Sequence, residues 1–293
     1  MNTTDTPEKL QQLVQTIRDL PALPEVVVRV MRMADDPRSD AQSIARVIAT
    51  DQAMTARVLK LANSAFYGLP RRVSTLSEAV VILGFRTIKN LAIAASTFEL
   101  LNREIAGYWL QRGELWRHSL ACAIGAQLIA QRVRLPVTEE AFVAGLLHDI
   151  GKVAINLFVR EQYEQIMERA LQDRIPFVEA EQAVLGFNHA MAGALIAEKW
   201  NLPPSLVAVI QYHHQPSHAP GAEGIVFAVH LADILSITLG IGIGGDGLYY
   251  TLEEGTLERF GLQQTDIDEV CERIVDQMAK AASLNEQPEV VLQ

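Results

Sequence analysis

Five of the seven histidines in this 293-residue chain are His118, His148, His189, His213 and His214, and two aspartates, Asp149 and Asp233, fall among them. Imidazole and carboxylate are the side chains that hold intermediate and hard divalent metals. One or two ions held by such a mixed set can turn a bound water into hydroxide near neutral pH and clamp a phosphate. Nitrogen and oxygen together favour iron, manganese or nickel over calcium. Glu114 and His118 stand four apart, and His230 and Asp233 three apart, so each pair shares a helix face. The adjacent His148 and Asp149 would diverge by about 100° on a regular helix, so both reach one cavity only near a helix end or in a wide pocket. Gly151, just after them, permits local backbone adjustment. A lone histidine on an apolar helix is ordinarily a satisfied core residue, and His230 is read that way. His218, in a proline-rich segment, is read as solvated.

The elements that must position these residues read as helices. Apolar residues recur at helical spacing, and few stretches alternate as a half-buried strand would, so the expectation is an all-α protein. Leu20-Pro21-Ala22-Leu23-Pro24 is a rigid entry to a helix from Val26 to Ala34. Ser39 or Asp40 caps Ala41 to Ala49, and Asp51 caps Gln52 to Ala62, each side chain accepting a free backbone N–H. Asn63 to Pro70 ends that helix in a turn. A cap-like Ser74-Thr75-Leu76-Ser77-Glu78 precedes Ala79 to Leu83, Gly84 breaks the chain, and Arg86 to Leu101 continues as helix. Tyr108 to Val133 carries His118, and Thr138 caps Glu139 to Leu147, which runs into His148-Asp149. Ile150 to Arg160 follows, and Pro176 opens another helix. Asn188 caps the helix beginning at His189, and Pro203-Pro204 starts one that ends at His213-His214. The apolar run from Ile225 to Ile243 contains His230 and Asp233, so it is read as a buried core helix rather than a membrane span. Thr265 to Ala282 closes the fold, and residues 285–293 form a frayed tail.

Composition bounds the function classes. Hydrophobic residues are 49% and charged residues 20%, ordinary for a globular protein. Cys122 and Cys271 belong to no CxxC pair, which suits a reducing compartment. Met1 to Asp5 begins no basic-then-apolar leader, so a cytoplasmic protein without a membrane partner is expected. The net charge of −10 argues against broad binding to a nucleic-acid backbone. Charge is uneven: residues 1–104 hold 13 Lys+Arg against 11 Asp+Glu, and residues 105–293 hold 12 against 24. That shift places a boundary near residue 104, giving lobes at 14–104 and 105–284. Gly240 to Gly245 follows a helix rather than a strand, against a dinucleotide-binding loop. Gly244-Gly245-Asp246 lacks the second acid of a cyclase signature. Ser43 to Leu61 has helix-turn-helix spacing, but its apolar positions are read as core.

Leu146-Leu147-His148-Asp149-Ile150-Gly151-Lys152 resembles the signature of the HD superfamily of metal-dependent phosphohydrolases. Leu20-Pro21-Ala22-Leu23-Pro24, the run from Asp51 to Gly68 (DQAMTARVLKLANSAFYG) and Ser77 to Gly84 (SEAVVILG) resemble the HDOD domain, an all-helical HD relative found in bacterial signalling proteins. The likeness runs from about residue 14 to about residue 280. It implies a two-lobed helical fold with the HD core in the second lobe. It maps His118, His148, Asp149 and Asp233 onto one metal, and His189, His213 and His214 onto a second, with Asp149 bridging. Glu114 matches an additional ligand of cyclic-dinucleotide hydrolases, and Lys152 a lysine that neutralises phosphate charge. The acid and Gly-Tyr-Pro element that follow the double histidine in those hydrolases are replaced here by Gln215-Pro216-Ser217-His218. The resemblance therefore implies a signalling protein acting through protein partners, and Arg71, Arg72, Arg86 and Lys89 of the N-terminal lobe are one candidate partner surface. A metal, or a nucleotide or other phosphorylated small molecule, would be its ligand. The alternative is a metal-dependent phosphohydrolase acting on a nucleotide or cyclic dinucleotide, with Asp149 and Lys152 in catalytic roles.

Overall fold

The computed structural model describes residues 5–34, 36–63, 69, 71–136, 138–247 and 249–283. Most of the turn expected at Asn63 to Pro70, and the tail at 285–293, lie outside the described residues. Among the described residues there are helices and no strand, as expected. In chain order they are α1 (Asp5–Asp19), α2 (Glu25–Ala34), α3 (Ala41–Ile48), α4 (Gln52–Ala62), α5 (Leu76–Leu101), α6 (Glu114–Arg132) and α7 (Thr138–Leu147). Then come α8 (Gly151–Asp173), α9 (Phe177–Leu185), α10 (His189–Lys199), α11 (Pro204–Tyr212), α12 (Glu223–Thr238), α13 (Thr256–Phe260) and α14 (Gln264–Ser283).

The chain forms two compact units that are not consecutive in sequence. One joins Met1–Ala22 to Thr97–Gln263, the other Leu23–Ser96 to Gln264–Gln293. A lobe at 14–104 would take in residues 14–19 of α1, whereas α1 packs on α8 and α10. Its Leu13 and Ile17 are buried, and the Lys199 ammonium donates to the carbonyls of Ile17, Arg18 and Leu20 at 2.9, 2.9 and 2.6 Å. A helix C-terminus leaves such carbonyls without partners, so one lysine cation both satisfies them and ties α1 to α10.

Within the second unit the caps are those expected. Asp40 accepts from the Ser43 N–H at 2.7 Å while Ser43 returns a bond to the Asp40 N–H, and Asp51 accepts from Met54 at 2.9 Å. Gly84, with φ 83°, interrupts α5 in a conformation that favours glycine.

The larger unit is built around α6, buried along nearly its whole length, with α7 and α12 packed against it. Small residues allow this: a Cβ on Gly145 would lie 2.8 Å from the Ala123 Cα. The stretch from Tyr108 does not run straight into α6. Ile105 and Leu110 pair backbone to backbone, Trp109 turns left-handed, and Gly113 with φ 88° starts the helix at Glu114. The physical reason is Tyr108, which is buried and whose hydroxyl donates to Glu181 at 2.5 Å, so the chain turns inward before the helix begins. The apolar run expected as a core helix is α12, with His230 and Asp233 buried.

His148, Asp149 and Ile150 occupy the turn between α7 and α8, which lets two adjacent side chains converge. Gly151 serves close approach rather than backbone freedom. A Cβ there would collide with the His189 carbonyl and lie 2.6 Å from the Gly193 nitrogen, so α8 and α10 cross at two glycines. That crossing sets His189 beside Asp149. Gly151→Ala should destabilise the protein by at least about 2 kcal/mol, as overpacking of a rigid backbone contact does. Urea unfolding would read this; an unchanged midpoint would show that the crossing is loose.

Candidate metal centre

Five elements deliver one buried cluster: α6 brings His118, the α7–α8 turn His148 and Asp149, α10 His189, the end of α11 His213 and His214, and α12 Asp233. All are buried except His214, which is half-buried. Asp149 stands at the centre, its two oxygens facing different sides. Oδ2 lies 3.4 Å from His148 Nε2 and 3.7 Å from His118 Nε2, while Oδ1 lies 3.4 Å from His189 Nε2 and 3.8 Å from His213 Nε2. Asp233 completes the first side, 3.0 Å from His118 Nε2 and 3.6 Å from His148 Nε2. Three sets of ligand atoms each gather within 4.8 Å: His118, His148 and Asp233; His148, Asp149 and His213; and His189, His213 and His214.

The rings are held from behind. Nδ1 of His118, His148 and His213 donates to the carbonyls of Ile241, Gly145 and Ile210 at 3.1, 2.7 and 2.9 Å. His189 Nδ1 instead lies 2.8 Å from Glu181 Oε2, which also accepts the His189 backbone N–H at 3.0 Å. Protonation at Nδ1 leaves each Nε2 with a bare lone pair turned into the cluster, the tautomer that binds metal. His230 supports this from outside: Nδ1 donates to the His213 carbonyl at 2.7 Å, and Nε2 accepts from the Glu253 N–H at 2.9 Å. It is the satisfied core histidine expected.

Three buried polar atoms at the heart of the cluster have no hydrogen-bond partner: His148 Nε2, His213 Nε2 and Asp149 Oδ1. Orphaned polar atoms in a protein interior are costly. Here all three point at one place and all are metal-ligand atoms. His189 Nε2 and His214 Nε2 approach to 2.8 Å. With His189 Nδ1 donating to Glu181, that pair needs a shared proton or cation between them. In and around the cluster, four buried carboxylates, Asp149, Asp233, Asp246 and Glu181, stand against one buried ammonium, Lys152, which contacts Asp149 and Asp246. The donor set and its charge fit one or two divalent cations.

Protonation tendencies divide the rings: burial is outweighed by Cys122 and Asp149 at His148 and by Glu181 at His189, and both are raised, whereas the other two are depressed. Burial, then the facing His148, brings His213 down to about 3, and burial with His213 and His189 depresses His214 well below the usual imidazole range. Burial alone would raise Asp149, but Lys152 and His148 outweigh it and hold the carboxyl well below its ordinary value. Asp233 is likewise depressed, burial being overcome by the adjoining His118 and His148. Neutral imidazoles and ionised carboxylates are the forms that ligate.

Lys152 is placed differently from a free phosphate-binding cation. Burial opposes its charge, but its Nζ sits 2.7 Å from Asp149 Oδ2 and 2.6 Å from Asp246 Oδ2, which raise it well above a usual lysine. Glu114 does not join any of the three ligand sets. Its carboxylate accepts the Gln111 N–H at 2.7 Å, ahead of α6, so the sequence neighbour of His118 has a backbone role. His218 pairs with Gln215 on the surface. Sequence reasoning missed Asp246, Glu181 and Tyr108. A signal existed for Glu181, which lies on the buried stripe of α9 between Phe177 and Leu185, where a charge demands a partner.

The sequence model of the HDOD domain matches residues 20–216. The chain belongs to the HDOD family. Its fold is similar to that of an HDOD domain protein of unknown function from Geobacter sulfurreducens, with TM-score 0.73 and 29% identity over 96% of this chain and 99% of that one. It is also similar to a candidate phosphohydrolase from Shewanella amazonensis, with TM-score 0.70 and 26% identity over 93% of this chain and 97% of that one. An uncharacterised protein of Treponema pallidum is 28% identical over 218 residues, 74% of this chain. The HDOD chain described here spans under half, 42%, of that curated relative's length.

Two expectations follow from the cluster. Glu181→Gln should weaken binding of Mn²⁺ about 10–100-fold, as loss of an outer-shell carboxylate does; competition with a chromogenic chelator measures it, and unchanged affinity would deny Glu181 this role. The folded-state value of His213, about 3, lies below its ordinary 6.5. The unfolded chain therefore takes up this proton first as pH falls, and stability present above 6.5 is lost progressively toward 3. Chelator-treated protein should lose stability over that window more steeply than His213→Asn, by up to about 1.4 kcal/mol per pH unit. Parallel pH profiles of the two in urea unfolding would contradict it.

Proposed function

We propose that this HDOD protein is a bacterial cytoplasmic signal-transduction component that holds one or two divalent ions in the His/Asp cluster and acts through protein partners. The observation that carries the reading is the convergence of bare Nε2 atoms on the two oxygens of Asp149. Their back nitrogens are already committed to carbonyls or to Glu181. Burial of the ligands, and of Lys152 between two carboxylates, suits an ion that stabilises or reports a state better than a site open to substrate. Nitrogen-rich, partly carboxylate ligation favours iron, manganese or nickel. The two free cysteines accord with a reducing compartment. For the partner surface we favour the exposed Arg72 and Arg86 of the smaller unit, with Val81 and Ile82 exposed on the same stretch of chain. Arg71 pairs with Glu78 at 2.7 Å and is less available. A ligand shifts such a protein between states only by its difference in affinity for them.

The second reading, a phosphohydrolase acting on a nucleotide, is favoured by one specific observation: Asp149 presents an oxygen to each of two ligand sets, an arrangement suited to a pair of ions. Bound ions would supply a hydroxide near neutral pH. The chain's own part would be to orient the imidazoles, exclude water, and place the Lys152 charge beside Asp149. Metal analysis of freshly purified protein, followed by a phosphodiesterase screen with Mn²⁺ or Fe²⁺, separates the readings. Stoichiometric metal without turnover is expected. Robust turnover abolished by Asp149→Ala would establish the hydrolase instead, and absence of metal with unchanged folding in His148→Ala would leave neither.

A further inference from the structure

A glycine-rich segment closes over the cluster, and it carries a carboxylate on its inner side. A narrow cleft lined by His118, Lys152, Asp246, Tyr250 and the Gly242–Gly244 backbone lies beneath it. The glycines fit the segment to what it covers. A Cβ on Gly242 would come 2.8 Å from the His118 Cβ, one on Gly244 would meet the Tyr108 carbonyl, and one on Gly245 would meet the Tyr163 hydroxyl. The Gly245 N–H donates to the Tyr108 carbonyl at 2.7 Å. Any side chain at these places would prop the segment away from the cluster. Lying flat, it delivers Asp246 to Lys152 at 2.6 Å, in an interior where Asp246 is only 4% exposed.

That pairing is unusual for the charge balance. Lys152 already has Asp149 at 2.7 Å, so one buried ammonium faces two carboxylates. Asp246 adds negative charge where Asp149 alone would neutralise the lysine, and it takes the hydrogen-bonding direction that a second anion would use. Resting on the metal-centre reading given above, we propose that Asp246 is an internal stand-in for an anionic ligand. It occupies the place on Lys152 that a phosphate group would take, and the glycine-fitted segment is the cover that must lift to admit that group. The ligand class is a phosphate or phosphate ester. Its oxygens would replace the Asp246 carboxylate on the ammonium and leave Asp149 in place. An intramolecular carboxylate competes at high effective concentration, so a free anion binds weakly until the cover is displaced.

The test is titration with inorganic phosphate, followed by calorimetry, on the full-length chain, both loaded with Mn²⁺ and treated with chelator. Asp246→Asn keeps the shape and removes the competing charge. Phosphate affinity should rise about tenfold or more over the parent, and the gain should vanish in the Lys152→Gln/Asp246→Asn pair, since it is exerted through the lysine. Asp246→Ser, checked for folding by thermal melting, serves if the asparagine variant does not fold. A gain that requires Lys152 in the chelator-treated arm sustains the inference even if the metal reading fails. Unchanged or weaker phosphate binding in both arms, in folded variants, overturns it: Asp246 would then be a structural partner of Lys152 only.

Discussion

One carboxylate organises the larger unit. Asp149 divides its two oxygens between His118 and His148 on one side and His189 and His213 on the other, while Oδ2 also takes Lys152. Four helices, α6, α8, α10 and α11, and the α7–α8 turn converge because their side chains address this residue. Buried ionisable groups are tolerated only when paired or satisfied. The interior therefore depends on positive charge being supplied to the cluster, and cation binding and folding of this unit are linked equilibria.

The layer behind the ligands is not symmetric. Three rings are fixed by neutral backbone carbonyls, whereas His189 is fixed by Glu181, which also receives the Tyr108 hydroxyl. Burial pulls His189 down, yet the Glu181 charge more than compensates and raises it, while His213 and His214 are depressed. A ring backed by a carboxylate is the stronger donor. His189 and His213, both on the Oδ1 side of Asp149, thus differ in basicity, and the part of that difference owed to Glu181 originates in α9 and the turn at Tyr108, not in the ligands.

Much of this was legible in the residues. Asp40, Asp51 and Asn188 cap where their types predict, because N-capping is a local bond between a side chain and an N–H a few residues on. Seven of the eight candidate ligands share one pocket, since their number and their placement at helix ends and on buried faces reflect the same packing that assembles them. Glu114 stands outside the three ligand sets because helical spacing from His118 gives a shared face but not a shared direction, and a nearer N–H claims it. Asp246 could not be read because its partner, Lys152, lies 94 residues away, and a glycine-rich run looks like a connection until the surfaces it fits are known. The role of Gly151 was hidden for the same reason: its neighbour is the backbone at His189, reached only through the fold.

The interleaving of the two units bears on how the chain is made. Residues 23–96 leave the ribosome early, but the unit they belong to is completed by the segment beginning at Gln264. The intervening 97–263 can gather with the first 22 residues while synthesis continues, whereas the smaller unit waits for the last helix. Domains fold as they emerge where their contacts are local, and long-range closure is slower. The unit holding α2–α4 thus stays incomplete through most of translation, the interval in which a nascent chain depends most on chaperones.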